Sequence, residues 1–206
     1  MKHSSISLFV LLLLSALASC TGRQRPSWTE DESMLIWSAE ETMHVLTVED
    51  SLELKVLREQ SACLNAADLQ SPTYGRLAAM MLATVTSPEQ DGVGIAGPQV
   101  GISRRVVAVQ RFDKPGEPFE VYPNISIPAV RGDKVPGGEG CLSVPGLRGE
   151  VPRWRDIDIS YSVLRDGQLR DTTERVQGFT AVIFQHETDH LDGILYTDRA
   201  TAVAPR

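Results

Sequence analysis

Apolar positions along this chain fall in short runs and alternations more often than at helical spacing. Val106-Val107-Ala108-Val109, entered from Arg105, predicts a short buried strand. Phe119-Glu120-Val121-Tyr122 alternates as a strand does, with a turn expected between Asp113 and Pro118. Ile157-Asp158-Ile159-Ser160-Tyr161-Ser162-Val163 alternates cleanly, and the Asp166-Gly167 after it is a hairpin signal. Helical spacing is found in two places. Ser71-Pro72 is a good helix start, and Leu77, Met80, Met81 and Thr84 continue it as a core-facing stripe. Near the end of the chain, apolar Thr180-Ala181-Val182-Ile183-Phe184 leads into Gln185-His186-Glu187-Thr188-Asp189-His190-Leu191-Asp192, with Gly193 as a stop. That segment reads as one buried helix. From Ser33 to Leu54 the pattern is mixed: Met34 to Trp37 is apolar, and Glu40, Glu41, Glu49 and Asp50 break up the remainder. Neither helix nor strand is assigned there; the acids are expected on a solvated face and His44 at the surface. Strands and loops closed by a buried helix make the fold class α+β.

Composition narrows this picture. With 206 residues, 42% of them hydrophobic, the chain suits one globular domain. A net charge of −7 argues against general nucleic-acid binding. The cysteines Cys20, Cys63 and Cys141 are too scattered for a disulfide framework. Cys63 is expected to be a small buried residue, although a pairing with Cys141 is open to an exported protein. Export is the reading of the N-terminus: Lys2, the apolar run Leu8 to Leu14, and Leu17-Ala18-Ser19-Cys20, which resembles the lipobox of bacterial lipoproteins. Residues 1–19 are then a signal peptide and Cys20 the lipidated mature terminus. Thr21 to Asp31 is a polar tether, residues 20–45 are tether and arm together, and 46–206 form the catalytic domain. The expected location is the bacterial cell envelope, lipid-anchored and facing the periplasm or exterior. An ordinary signal peptide or an uncleaved anchor is the alternative.

The chemistry centres on H-E-x-x-H. On a helix, His186 and His190 lie on one face and can ligate one metal ion, while Glu187 can reach a water there as general base. A pattern this short also arises by chance, so a third ligand and an oxyanion donor are required. Two glycine-rich stretches bear on that. Gly92-Val93-Gly94-Ile95-Ala96-Gly97-Pro98-Gln99 resembles the first motif of peptide deformylases, G-x-G-x-A-A-x-Q. Glu139-Gly140-Cys141-Leu142-Ser143 is identical to their second motif, and Gln185 to His190 fits their third, Q-H-E-x-D-H. The motifs stand in family order, Arg148, Gly149, Val151, Pro152 and Arg153 match the usual context, and the resemblance runs from about Val48 to Arg199.

The resemblance implies a peptide deformylase-like fold, antiparallel sheets around a buried metal-binding helix, removing formyl from N-formylmethionyl peptides as a monomer. Cys141, His186 and His190 would hold one divalent ion, Fe(II) first, with Zn(II), Ni(II) or Co(II) also suited to thiolate and imidazole. Glu187 would move the proton, and the Gln99 amide and Leu142 N–H would share the oxyanion charge. Val93 and Gly94 would pair with the peptide backbone, Arg148 would lie near substrate, and an apolar pocket would take the methionine. Asp189 reads as a support for the helix or its ligands, and Trp28, Trp37 and Trp154 as packing residues. One departure stands out: Gly97 replaces an alanine, which loosens the loop carrying Gln99, so Gly97→Ala is expected to stiffen it. An exported metalloprotease is a competing reading, but such enzymes take their third ligand downstream, whereas Cys141 lies upstream. A non-enzymatic lipoprotein binding formyl peptides or metal is another, and it has no need of Glu187 and Gln99. Deformylation ordinarily occurs at the ribosome, where an exported enzyme cannot act, so the physiological substrate is not read from the sequence.

Overall fold

A computed structural model describes residues 27–205. The expected signal peptide, Cys20 and the start of the tether lie outside the described residues. Helix α1 (Glu30–Ser38) begins in a capping box: Thr29 Oγ1 accepts from the Glu32 N–H at 3.1 Å and the Glu32 carboxylate accepts from the Thr29 N–H at 2.9 Å. The tether reading is thereby corrected at its end, since Glu30 and Asp31 form the first helical turn. Helix α2 (Ser51–Leu57) is capped by Asp50, which accepts from Leu52 and Glu53 N–H at 2.7 and 3.2 Å. The mixed stretch is therefore two short helices. Each buries a single residue, Ile36 or Leu57, so neither shows a readable stripe.

A short α3 (Ala66–Gln70) precedes α4 (Pro72–Val85), where Ser71 caps and Leu77, Met80, Met81 and Thr84 are buried as expected. Trp28 packs here: its Nε1 donates to Ser71 Oγ at 2.8 Å, and the Arg104 guanidinium lies 5.3 Å from its ring centre. Trp37 departs from the packing expectation; it is 55% exposed. Trp154 is partly buried against the core beneath the last long helix. His44 is exposed, as expected, and bonds Glu53 at 2.6 Å.

The strands form two antiparallel sheets. The first has the order β1 (Gly94–Ala96), β2 (Val106–Gln110), β3 (Phe119–Pro123). The second has the order β4 (Ser126–Cys141), β5 (Val144–Arg165), β6 (Gln168–Gln177), with β7 (Ala202–Pro205) also paired to β5. Asp166 and Gly167, at φ +51° and +72°, make the β5–β6 hairpin turn that Asp-Gly predicts. The second glycine-rich stretch is no loop. Gly137 and Gly138 pair with Val151 and Glu150, carrying β4 up to Cys141.

Helix α5 (Gly178–Leu191) is buried on nearly every face. Strand β2 explains why. Val106 and Ala108 join the core under α4, while Val107 and Val109 join the core formed with Ile183, Phe184, Ile157 and Ile159. A strand covered on both sides reads as a continuous apolar run, which is what the sequence presents. Beyond α5, Gly193 at φ +71° ends the helix. Cys63 is buried and disulfide-bonded, and Cys141 is a free thiol, so the Cys63–Cys141 pairing does not form.

Candidate active site

The end of β4 meets the C-terminal half of α5 at Cys141, His186 and His190, whose ligand atoms all lie within 4.8 Å of one another. Cys141 Sγ is 3.2 Å from His190 Nε2. Donors at ordinary metal–sulfur and metal–nitrogen lengths around a tetrahedral ion stand about 3.4–3.6 Å apart, so this set fits a divalent ion with one position left over. The orientation of His186 supports the same conclusion. Its Nδ1 bonds Glu139 Oε2 at 2.8 Å, which turns Nε2 toward the site. Arg153 grips Glu139 at 2.8 and 3.1 Å and reaches Asp189 at 2.5 Å, while Arg199 donates to both Asp189 oxygens at 2.6 and 2.7 Å. Asp189 is thus the helix support expected of it. Glu139 and Arg153 are site residues that sequence reasoning misses; their place beside Cys141 in the second motif and its context is the one signal for them.

Electrostatics reflect this burial. Burial alone would raise the Glu139 carboxyl, but hydrogen bonds from His186 and Arg153 outweigh it and hold the group at about 2. Burial likewise opposes ionisation of Cys141, yet the neighbouring imidazoles of His190 and His186 hold the thiol well below its usual range. Glu187 goes the other way. It is 4% exposed, its Oε2 has no hydrogen-bond partner among the described residues, and burial pushes it up to about 7.

Gln99 sits on a single 3₁₀ turn (Gly97–Val100) after β1. Its Oε1 accepts from the Ala96 N–H at 2.8 Å, which fixes Nε2 toward Ser143 Oγ at 3.2 Å and Cys141 Sγ at 3.6 Å. Leu142 lies in the tight β4–β5 connection beside it. A strap between α1 and α2 joins these two loops: Leu46 N–H donates to Gln99 O at 2.8 Å and Val48 N–H to Ser143 O at 2.9 Å. No pattern in the sequence announces that strap. Gly97 also corrects an expectation. Its φ is not positive, but a Cβ there would stand 2.6 Å from Ile102 O and 2.7 Å from Arg104 O. The glycine is a requirement of space, and alanine would not relax the loop into order.

A cavity of about 340 Å³ opens beside Cys141, His186, Glu187 and Gln99, walled by Val93, Leu142, Val182, Ile183 and half-exposed Phe179. Gly94 lines it from β1 and Gly140 from β4, each strand an edge of its own sheet. Arg148 is exposed at the rim. A larger cavity of about 920 Å³, reaching Lys134, Trp154 and Asp192, contains none of Cys141, His186, Glu187 or Gln99. Chemistry, not volume, marks the site.

A buried glutamate beside a Cys-His-His donor set, with an amide donor facing the same cavity, defines a metal-dependent amide hydrolase. The polypeptide deformylase family model matches residues 42–206, and the chain belongs to that family. It is 42% identical over 136 residues to the peptide deformylase of Desulforudis audaxviator, a match covering 66% of this chain and 83% of that one. Among solved structures, the actinonin-bound class I type b peptide deformylase of Acinetobacter baumannii superposes with a TM-score of 0.66 at 36% identity, covering 79% of this chain and 100% of that one. The same enzyme with Met-Ala-Ser bound gives 0.65 at 36% identity, over 77% and 98% of the respective chains. The chain is therefore a peptide deformylase by family and by fold, and the antiparallel sheets around α5 are the α+β architecture expected.

Proposed function

We propose that this hydrolase removes the formyl group from N-formylmethionyl peptides, with Cys141, His186 and His190 as metal ligands, Glu187 as the proton carrier, and Gln99 and Leu142 as the oxyanion donors. The observation that carries this is the buried, unpartnered Glu187 carboxylate in one cavity with the donor set and the Gln99 amide. When bound, a divalent ion supplies a Lewis acid beside the attacking water. Glu187, raised toward neutrality, takes a proton from that water as its oxygen attacks the formyl carbon. Gln99 Nε2 and the Leu142 N–H stabilise the oxygen on which charge builds. Glu187 returns the proton to the amine as the C–N bond breaks, releasing formate and the free N-terminus. The β1 and β4 edges at Val93, Gly94 and Gly140 suit an extended backbone, and the apolar walls suit the methionine side chain. A Met-first peptide bound by the Acinetobacter relative supports that occupant. Iron is the metal proposed first, and elemental analysis of protein purified without air tests it. The activity is tested with formyl-Met-Ala-Ser, acetyl-Met-Ala-Ser and unblocked casein. Cleavage of the formyl peptide alone is expected; casein cleavage would favour a protease.

We further propose that the enzyme works outside the cytoplasm, anchored by lipid on Cys20, on released formyl peptides. The support is Lys2, the Leu8 to Leu14 run and Leu17-Ala18-Ser19-Cys20. A lipidated Cys20 keeps no thiol for pairing with Cys63, so the mass of the N-terminal peptide separates lipid from cystine. Cystine there would end the lipid reading. A domain that resists protease added to spheroplasts would end the export reading.

A further inference from the structure

Glu187 is placed by packing rather than by hydrogen bonds: its Oε2 has no partner among the described residues, and the carboxylate rests against β1 at Gly94. A Cβ built on Gly94 would lie 2.4 Å from Glu187 Oε1, 2.9 Å from its Cδ and 2.9 Å from Ile183 Cγ2. Ile183 precedes Glu187 by one helical turn on α5, so it forms the second wall of the same slot. We infer that Gly94 is a positioning residue for the proton transfer, its bare Cα being the stop that sets where the Glu187 carboxylate sits. The inference rests on the assignment of Glu187 as proton carrier, and it adds a steric role to the backbone role proposed for Gly94.

The physical case turns on which atom yields. Heavy atoms at 2.4 Å cannot coexist, so a side chain at position 94 forces a displacement. The β1 backbone is held in register with β2, Gly94 opposite Val109. The Glu187 tip has rotatable bonds and no hydrogen bond on Oε2 to hold it. The carboxylate therefore moves and the strand stays. Displacements near 1 Å in a reacting group cost about 10²-fold in rate. Substrate would meet Gly94 through its backbone, which stays in register with β2, and of the apolar walls only Ile183 Cγ2 has to yield.

The test is Gly94→Ala in the full-length, metal-loaded enzyme, alone and combined with changes at Glu187. The expected result is a kcat lower by about 10²-fold, with KM and metal content within about 3-fold of wild type. Glu187→Asp should cost less than about 3-fold more in the Gly94→Ala background, because the carboxylate is already out of place there. Unchanged kcat, a loss confined to KM, or two losses that multiply would each overturn the inference. Melting supplies a readout independent of turnover. Gly94→Ala should lower Tm more beside Glu187 than in a Glu187→Ala background, where the Cδ and Oε1 obstacles are gone. This arm also applies if Gly94→Ala alone is too unstable to assay, and equal Tm losses in both backgrounds would refute the contact. A Glu187→Ala enzyme with normal turnover would instead defeat the proton-carrier assignment, and the melting comparison would still decide the Gly94 contact independently.

Discussion

Replacing Gly97 with alanine should destabilise the enzyme, the reverse of what the family motif suggests. The new methyl would stand 2.6 Å from Ile102 O and 2.7 Å from Arg104 O, where ordinary contact begins near 3.4 Å. The shortfalls are therefore 3.4 − 2.6 = 0.8 Å and 3.4 − 2.7 = 0.7 Å. Both obstacles are backbone atoms of one turn, and that turn is tied down: Ile102 N–H donates to Gly97 O at 2.9 Å and Arg104 N–H to Ile102 O at 2.7 Å. Overpacking of this kind costs about 1–3 kcal/mol. The loss of unfolded-chain entropy returns only about 0.4–1 kcal/mol. At the midpoints of these ranges the net is a destabilisation of about 1.3 kcal/mol, read as a Tm lower by about 3–5 °C for a chain of this size. Gln99 comes two residues later on the same turn, so kcat should fall as well. Matched thermal melts of metal-loaded wild type and Gly97→Ala, with kinetics on formyl-Met-Ala-Ser, make the measurement. A Tm equal to or above wild type would refute the steric reasoning and restore the view that this glycine merely loosens the loop.

Other perturbations should separate chemistry from scaffolding. Glu187→Ala should retain the metal and lose about 10²-fold or more in kcat, because it removes the proton carrier and no ligand; a metal-replete variant with near-normal kcat would contradict this. Glu139→Gln keeps the shape but removes the charge facing His186 Nδ1, and metal affinity measured by chelator competition should drop about 10–100-fold. Peroxide should inactivate the enzyme through Cys141, and mass spectrometry showing inactive protein with unmodified Cys141 and metal retained would exclude that route. Glu32→Ala removes a carboxylate that holds the buried Arg104 guanidinium at 2.7 Å through both Nε and Nη2. A stability loss of about 1.5–3 kcal/mol, the worth of hydrogen bonds to a charged group, should appear in denaturant melts without a matching change in kcat.

How much is legible in the sequence divides along the range of the interaction. Strand β2 is legible because burial on both faces makes an unbroken apolar run, and the β5–β6 hairpin because its turn chemistry is local. The donor set is legible as residue types: His186 and His190 lie one turn apart, and Cys141 sits inside a motif. Helices α1 and α2 are not, since each buries one side chain and is held mainly by its caps. Strand β4 is hidden for a related reason: most of it is exposed, and prolines and glycines interrupt it. The Glu139–His186 and Arg153–Asp189 contacts span 47 and 36 positions, and no local spacing encodes them. Gly94 and Gly97 make the sharpest case. They stand three residues apart in one motif and look interchangeable as flexible glycines. Yet a methyl on Gly94 would meet a movable carboxylate, whereas on Gly97 it would meet two anchored carbonyls. The same substitution should therefore cost chiefly turnover at one position and chiefly stability at the other, because what yields is a side-chain tip in the first case and backbone in the second.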